Sequence, residues 1–238
     1  MPFTASHPAI ILPFLKNKYL SASGLIMGSM VPDFEFFIRM KAEGPYGHTF
    51  LGMLWLNIPL AMVFLFLYHN VVRNELIYSL PLFFEKRFND FLTFNWNRYF
   101  GKNFLIVIVS ILLGNMSHLL WDSFTHFDGF FVERIPFLQR EILGIPIYDA
   151  SQYICSLIGL IAILFFVFKM PIDTEIESKK GKINYWLYVV LVTAAVMFLR
   201  FRNESPIFFG DGIVSLLFAF MVGLFLASLT KVYKYKKA

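Results

Sequence analysis

The chain has 238 residues, 58% hydrophobic and 19% aromatic, with 16% charged, a mean hydropathy of +0.63 and a formal charge of +5. Soluble domains carry about a quarter charged residues, so this balance points to a membrane protein. It argues against a nucleic-acid partner, since no recognition helix or finger accompanies the basic residues. One cysteine, Cys155, inside an apolar run, excludes an intrachain disulfide and a cysteine-based zinc module.

In chain order, the opening MPFTASHPAIILPFLKNKYL lacks a basic start, and prolines interrupt its short apolar core, so it does not read as a cleavable signal. Ser6 before His7-Pro8 has the form of a helix N-cap with proline in the first turn. The uncharged run 19–32 is short and meets Pro32-Asp33, which suits a re-entrant or protein-covered helix better than a full span. Gly24 and Gly28 within it form a small-xxx-small pair, the signature of a close helix contact. Runs free of Asp, Glu, Lys and Arg then cover 44–72, 103–121, 150–168, 183–199 and 212–230, each near the ~20 residues a membrane-spanning helix needs.

These runs predict an all-α polytopic membrane bundle of five to six transmembrane helices, forming one integral membrane domain over 1–238. Residues 1–165 bear the motifs, and 183–230 supply two further spans. Segments 76–100 and 127–144 mix aromatics with charges and suit the headgroup region. Basic residues gather on alternate loops: Arg73, Lys86, Arg87, Arg98 and Lys102, then Lys169, Lys179, Lys180 and Lys182, then Lys231, Lys234, Lys236 and Lys237. The positive-inside rule puts those loops and the C-terminus in the cytoplasm. The N-terminal 45 residues then lie on the opposite face, with the end of HLLWDSFTH (118–126).

The polar residues within this apolar frame need partners. If HLLWDSFTH continues the preceding helix, His118, Asp122 and His126 repeat every four residues and share one stripe, with Asn115 and Thr125. TASHPA supplies His7, VPDFE supplies Asp33 and Glu35, and GPYGHTF supplies His48. Imidazole and carboxylate are the donors a borderline cation such as zinc or manganese accepts. A carboxylate bridging two ions about 3.5–4 Å apart is one arrangement such a set permits. The plainer readings are a hydrogen-bonded His-x-x-x-Asp pair in a helix bundle, an Glu35–Arg39 ion pair, and an interfacial His69. Buried Asp and His together in a membrane segment favour a functional role. No Gly-x-Ser-x-Gly elbow, phosphate-binding Gly-rich loop or His-Glu-x-x-His is present.

MPFTASHPA, GSMVPDFEFF, GHTF and HLLWDSFTH, followed by Tyr148 and Gln152, together resemble a bacterial membrane family designated domain of unknown function 4184. The resemblance covers roughly residues 1–165. That family is similar in turn to inner-membrane metal-dependent hydrolases, whose His-x-x-x-Asp helix is similar to that of zinc-dependent phospholipase C and single-strand nucleases. The resemblance implies His7, Asp33, His48, His118 and Asp122 as metal ligands; Asp33 and His126 are the candidate catalytic residues, His126 as a further ligand or a base beside the ligands. It implies zinc, or manganese, as the ion, a phosphoester or lipid-linked substrate, and the bacterial inner membrane as the location. Two departures stand out: Asp33-Phe34-Glu35 replaces an Asp-x-Asp element, and Pro45-Tyr46-Gly47 replaces the His-Arg-Gly before Thr-His. His126 and Asp128 are the candidate substitutes. The alternative functions are a transporter or ion-handling protein using the same His/Asp cluster, and a non-catalytic subunit with a buried polar network.

Overall fold

The computed structural model describes residues 3–176, 182–204 and 208–235, with side chains through 230. Lys179, Lys180, Lys236 and Lys237 lie outside the described residues, as do the side chains of Lys231 and Lys234. The described chain is helical apart from one two-residue hairpin, β1 (Glu141–Ile142) and β2 (Ile145–Pro146), paired antiparallel. Five helices are long and apolar enough to cross a membrane: α3 (Phe50–Ser79), α5 (Trp96–Asp122), α7 (Ile147–Phe168), α8 (Lys182–Phe201) and α9, apolar over Phe209–Thr230. They coincide with the five uncharged runs. Shorter helices are α1 (Ala22–Gly28), α2 (Phe34–Arg39), α4 (Leu82–Phe88) and α6 (Phe130–Arg134). The run 19–32 is not among the five: it holds seven-residue α1, a turn at Ser29-Met30 and a 3-10 turn at Val31–Asp33.

The chain divides into two compact units interleaved in sequence. One comprises Met1–Asp33, Tyr46–Met62 and Phe100–Lys169; the other comprises Phe34–Pro45, Val63–Tyr99 and Met170–Ala238.

In the first unit, α1 lies against α5 with backbones in contact. A β-carbon added at Gly28 would sit 2.2 Å from the Ile111 carbonyl oxygen, and one at Gly114 would sit 2.3 Å from that of Leu25. The small-xxx-small pair is thus a packing surface. Ser21 caps α1 by accepting from the Gly24 amide, while its own amide donates to Ser110 Oγ on α5 at 2.8 Å. The N-terminal element Thr4–Phe14 is a 3-10 helix containing Pro8 and Pro13, which lack the amide a helix interior uses. It packs on α7, where Gly159 admits the Ser6 backbone and Ser156 Oγ accepts from the Phe3 amide at 3.0 Å. Ser6 is not the cap the sequence suggested: Phe3 holds that position, and Ser6 Oγ donates back to the Phe3 carbonyl. Near its start α3 widens into a π-turn at Met53–Asn57, just before Pro59. Pro59 offers no amide to Trp55 and its ring crowds that carbonyl, so the wider turn relieves the clash.

In the second unit, α8 and α9 run antiparallel. Tyr185 Oη meets Ser228 Oγ at 3.1 Å, a β-carbon at Gly223 would meet the Val189 carbonyl, and Thr193 Oγ1 approaches the Ala219 carbonyl. Lys182 joins buried Glu85 and the Leu80 carbonyl. His69 is buried, stacked on Trp96 with ring centroids 4.5 Å apart and against Arg73 Nη1 at 3.3 Å. Glu35 and Arg39 form the expected pair at 4.0 Å.

Candidate metal centre

Four separate elements of the first unit deliver the cluster. His7 stands in the first turns of the N-terminal 3-10 helix. Asp33 closes the turn after α1, where Thr4 Oγ1 donates to its Oδ2. His48 occupies the turn leading into α3, which Thr49 caps through Gly52. Its neighbour Gly47 is fixed from within the π-turn: Asn57 Nδ2 donates to the Gly47 carbonyl at 2.7 Å and lies 3.4 Å from Asn115 Oδ1. His118 and Asp122 occupy the last turns of α5. His118 Nδ1 donates to the Ser29 carbonyl at 2.9 Å, which leaves Nε2 as the free lone pair.

The donor atoms converge. His118 Nε2 is 3.0 Å from Asp122 Oδ2 and 3.6 Å from Asp33 Oδ1. His48 Nε2 is 3.2 Å from His118 Nε2, 3.3 Å from Asp33 Oδ1 and 3.4 Å from Asp122 Oδ2. Tetrahedral zinc with bonds of about 2.0–2.2 Å holds its donors about 3.3–3.6 Å apart. These five separations are of the order of that edge length. Asp33 is 1% exposed, and its Oδ1 faces the Nε2 atoms of His48 and His118 at 3.3 and 3.6 Å. A buried carboxylate oxygen facing imidazole nitrogens suits cation binding. The groups His7–His118–Asp122 and Asp33–His48–His118 each have donors close enough for one ion.

His7 and His126 flank the four. His7 Nε2 lies 3.1 Å from Asp122 Oδ1, with its ring stacked on His118 at 3.8 Å. His126 is not on the helical stripe the sequence suggested, because α5 ends at Asp122. The Asp122 carbonyl accepts from the amides of Thr125 and His126, and the Ser123 carbonyl from Phe131, so the chain doubles back. Gly129 lines this turn, where a β-carbon would sit 2.6 Å from the Ser123 carbonyl oxygen. His126 nevertheless returns to the cluster, with Nδ1 3.2 Å from the Asp122 carbonyl oxygen and 3.5 Å from Oδ1. Asp128 is exposed, and Glu35 belongs to the second unit.

Electrostatics follow from this packing. Burial alone would push His48 down, but hydrogen bonds and charge from Asp122 and Asp33 lift it to about 9. Burial raises the Asp33 carboxyl, yet the imidazoles around it, His118 foremost, hold it below its ordinary value. Burial pushes His126 below its usual range despite the nearby Asp122 carboxylate, keeping it neutral near pH 7.

Sequence reasoning overlooked Thr4 and the Ser29 carbonyl as supports of Asp33 and His118. Neither has a residue type that sets it apart. Asn57 left a fainter mark, as a lone amide in a long apolar run.

A family model matches residues 1–231, nearly the whole chain. The chain belongs to the family described as domain of unknown function 4184 (DUF4184). No curated protein and no solved structure matches it. The DUF4184 chain is thus a membrane protein with a buried His/Asp cluster able to hold a metal ion.

Proposed function

We propose that this protein is a membrane-embedded, metal-dependent hydrolase of the bacterial inner membrane, acting on a phosphoester or lipid-linked substrate. The observation that carries the reading is the pair of buried donor triads, His7–His118–Asp122 and Asp33–His48–His118, drawn from separate elements of the first unit. Burying so many ionisable groups is costly unless a bound ion or a reaction repays it. The donor chemistry favours zinc over manganese. His48, Asp33, His118 and Asp122 Oδ2 hold the ion, and His7 completes the set through Asp122.

A divalent cation there supplies Lewis-acid polarisation and lowers the pKa of water. The protein's own residues do the rest. Thr4 fixes Asp33 through Oδ2, so that Oδ1 faces the ion position. Ser29 fixes the His118 tautomer. His126, neutral and partly exposed, takes a proton from the attacking water and returns it to the leaving oxygen. The cluster sits where α3 begins and α5 ends, the depth of a bilayer boundary, which suits a substrate presenting its phosphate at the headgroup layer. The whole chain acts as one membrane domain with its basic loops and C-terminus in the cytoplasm.

The test is metal content of the purified full chain for His118→Gln, Asp122→Asn and His48→Gln, beside His69→Gln, whose ring stacks on Trp96. Loss of metal in the first three and retention in the fourth is expected. Equal content in all four, or none in the wild type after reconstitution, would remove the reading.

A further inference from the structure

The second unit buries a cation without a counter-charge. Arg73, in the last turns of α3, is 6% exposed, yet it joins no ion pair among the described residues. Its Nε donates to Asn74 Oδ1 at 2.9 Å, and Nη1 donates to the Phe94 carbonyl at 2.7 Å and lies 3.3 Å from His69 Nδ1. An amide, a carbonyl and an imidazole carry no negative charge. Glu75, buried two residues on, forms no ion pair with Arg73, and its carboxylate acts on Tyr185. A buried cation held by dipoles alone is costly, and an anion that reaches it removes much of that cost. We infer that this anion is the phosphate of an anionic phospholipid, seated against Arg73 Nη2, the guanidinium nitrogen that these bonds do not use.

The surroundings hold the guanidinium in place. His69 stacks flat on Trp96, with ring centroids 4.5 Å apart and planes 7° from parallel. His69 and Asn70 belong to a second π-turn of α3, Tyr68–Val72. Pro59 accounts for the first such turn, but the next proline, Pro81, lies well beyond this one. Wide turns of this kind are frequent at functional sites. This one brings His69 to Arg73 and Asn70 to Asn97, whose side-chain amides bond reciprocally at 3.2 and 3.0 Å.

Depth and charge identify the ligand. α5 starts at Trp96, so Trp96 and Asn97 stand at the end of a span, where phospholipid phosphates lie. The same loop carries Lys86, Arg87 and Arg98, which draw anionic headgroups toward it. Arginine suits phosphate because its planar fork aims N–H groups at the oxygens and keeps its charge when buried. Arg73, His69, Trp96 and the asparagines all lie in Val63–Tyr99 of the second unit, and the proposal does not depend on a bound metal.

The experiment titrates the delipidated, detergent-purified full chain with phosphatidylglycerol and follows it by native mass spectrometry and thermal melting. Wild type should take up one tightly held lipid per chain. Arg73→Gln should weaken that binding about tenfold or more, and exposed Arg98→Gln less than about twofold. The lipid should raise the melting temperature of wild type and not of Arg73→Gln, a difference that a merely structural arginine would not produce. Equal weakening by the two variants, or equal melting shifts in wild type and Arg73→Gln, overturns the site. Displacement of the lipid by excess inorganic phosphate would assign the position to free phosphate and overturn the lipid reading. Should Arg73→Gln fail to fold, Arg73→Lys decides the matter, since it keeps the charge and loses the fork. Weaker binding is expected, and wild-type affinity overturns the proposal.

Discussion

Gly28→Ala tests the chain of support behind the cluster. The added β-carbon would lie 2.2 Å from the carbonyl oxygen of Ile111 and 2.8 Å from its Cα, both backbone atoms of a long helix. Unstrained carbon–oxygen contacts begin at about 3.3 Å, so α1 and α5 must part by roughly 1 Å. The next residue after α1 is Ser29, whose carbonyl accepts from His118 Nδ1 at 2.9 Å. A shift of about 1 Å carries that bond beyond hydrogen-bonding distance and frees the His118 ring to rotate. Overpacking of this kind costs about 1–3 kcal/mol of stability, and losing the partner of a metal-bound histidine weakens metal affinity about 10–100-fold. Gly101→Ala is the matched control on α5, since nothing lies within 4 Å of its added β-carbon. Chelator competition gives the affinity and thermal melting the stability. If Gly28→Ala matches Gly101→Ala in both, the contact does not hold His118 in place.

Thr4→Val removes the hydroxyl that fixes Asp33 and should weaken metal binding about 10–100-fold in chelator competition, with Thr4→Ser restoring it. Asn57→Leu removes the donor to the Gly47 carbonyl; a stability loss of about 1–3 kcal/mol by denaturation and a weaker metal affinity are expected. In metal-free protein, His48 is raised from 6.5 to about 9 by the two aspartates. Its stabilisation is therefore fully present below pH 6.5 and lost as pH rises through about 9, so the melting temperature should fall across that window. With metal bound, His48 is already deprotonated and the same fall should vanish. A flat profile in the chelated protein would contradict the placement of His48 between Asp33 and Asp122.

The spans were legible because length and apolarity alone decide them: α7 and α8 follow the uncharged runs to within a few residues. So was the membership of the cluster, since His7, Asp33, His48, His118 and Asp122 stand out as ionisable groups beside apolar segments. Its assembly was not legible. A four-residue repeat implied that His126 continued the stripe, but α5 gives way to a turn after Asp122 in which the Ser123 carbonyl accepts from the Phe131 amide, a bond with no periodicity to read. Ser6 looked like a cap because its neighbours favour one, yet two prolines turned the segment into a 3-10 helix capped at Phe3. The π-turn that aims Asn57 at Gly47 follows from Pro59, a local cause whose geometric result depends on what lies opposite.

The contrast between long and short elements explains where a site can form in such a chain. A continuous apolar helix satisfies its own backbone and presents few polar groups, so α7 contributes mainly a surface for the N-terminal segment to pack on. The short elements do the converse. The 3-10 helix, the turn after α1 and the turn before α3 each break their hydrogen-bonding pattern within a few residues of His7, Asp33 or His48. Glycines 28 and 114 let α1 press against α5 so closely that the Ser29 carbonyl reaches His118. Without that approach, His118 and Asp122 would be two polar residues at the end of one helix, able to satisfy each other and nothing more. The backbone contact between a seven-residue helix and a span turns an ordinary intrahelical pair into the base of a coordination set.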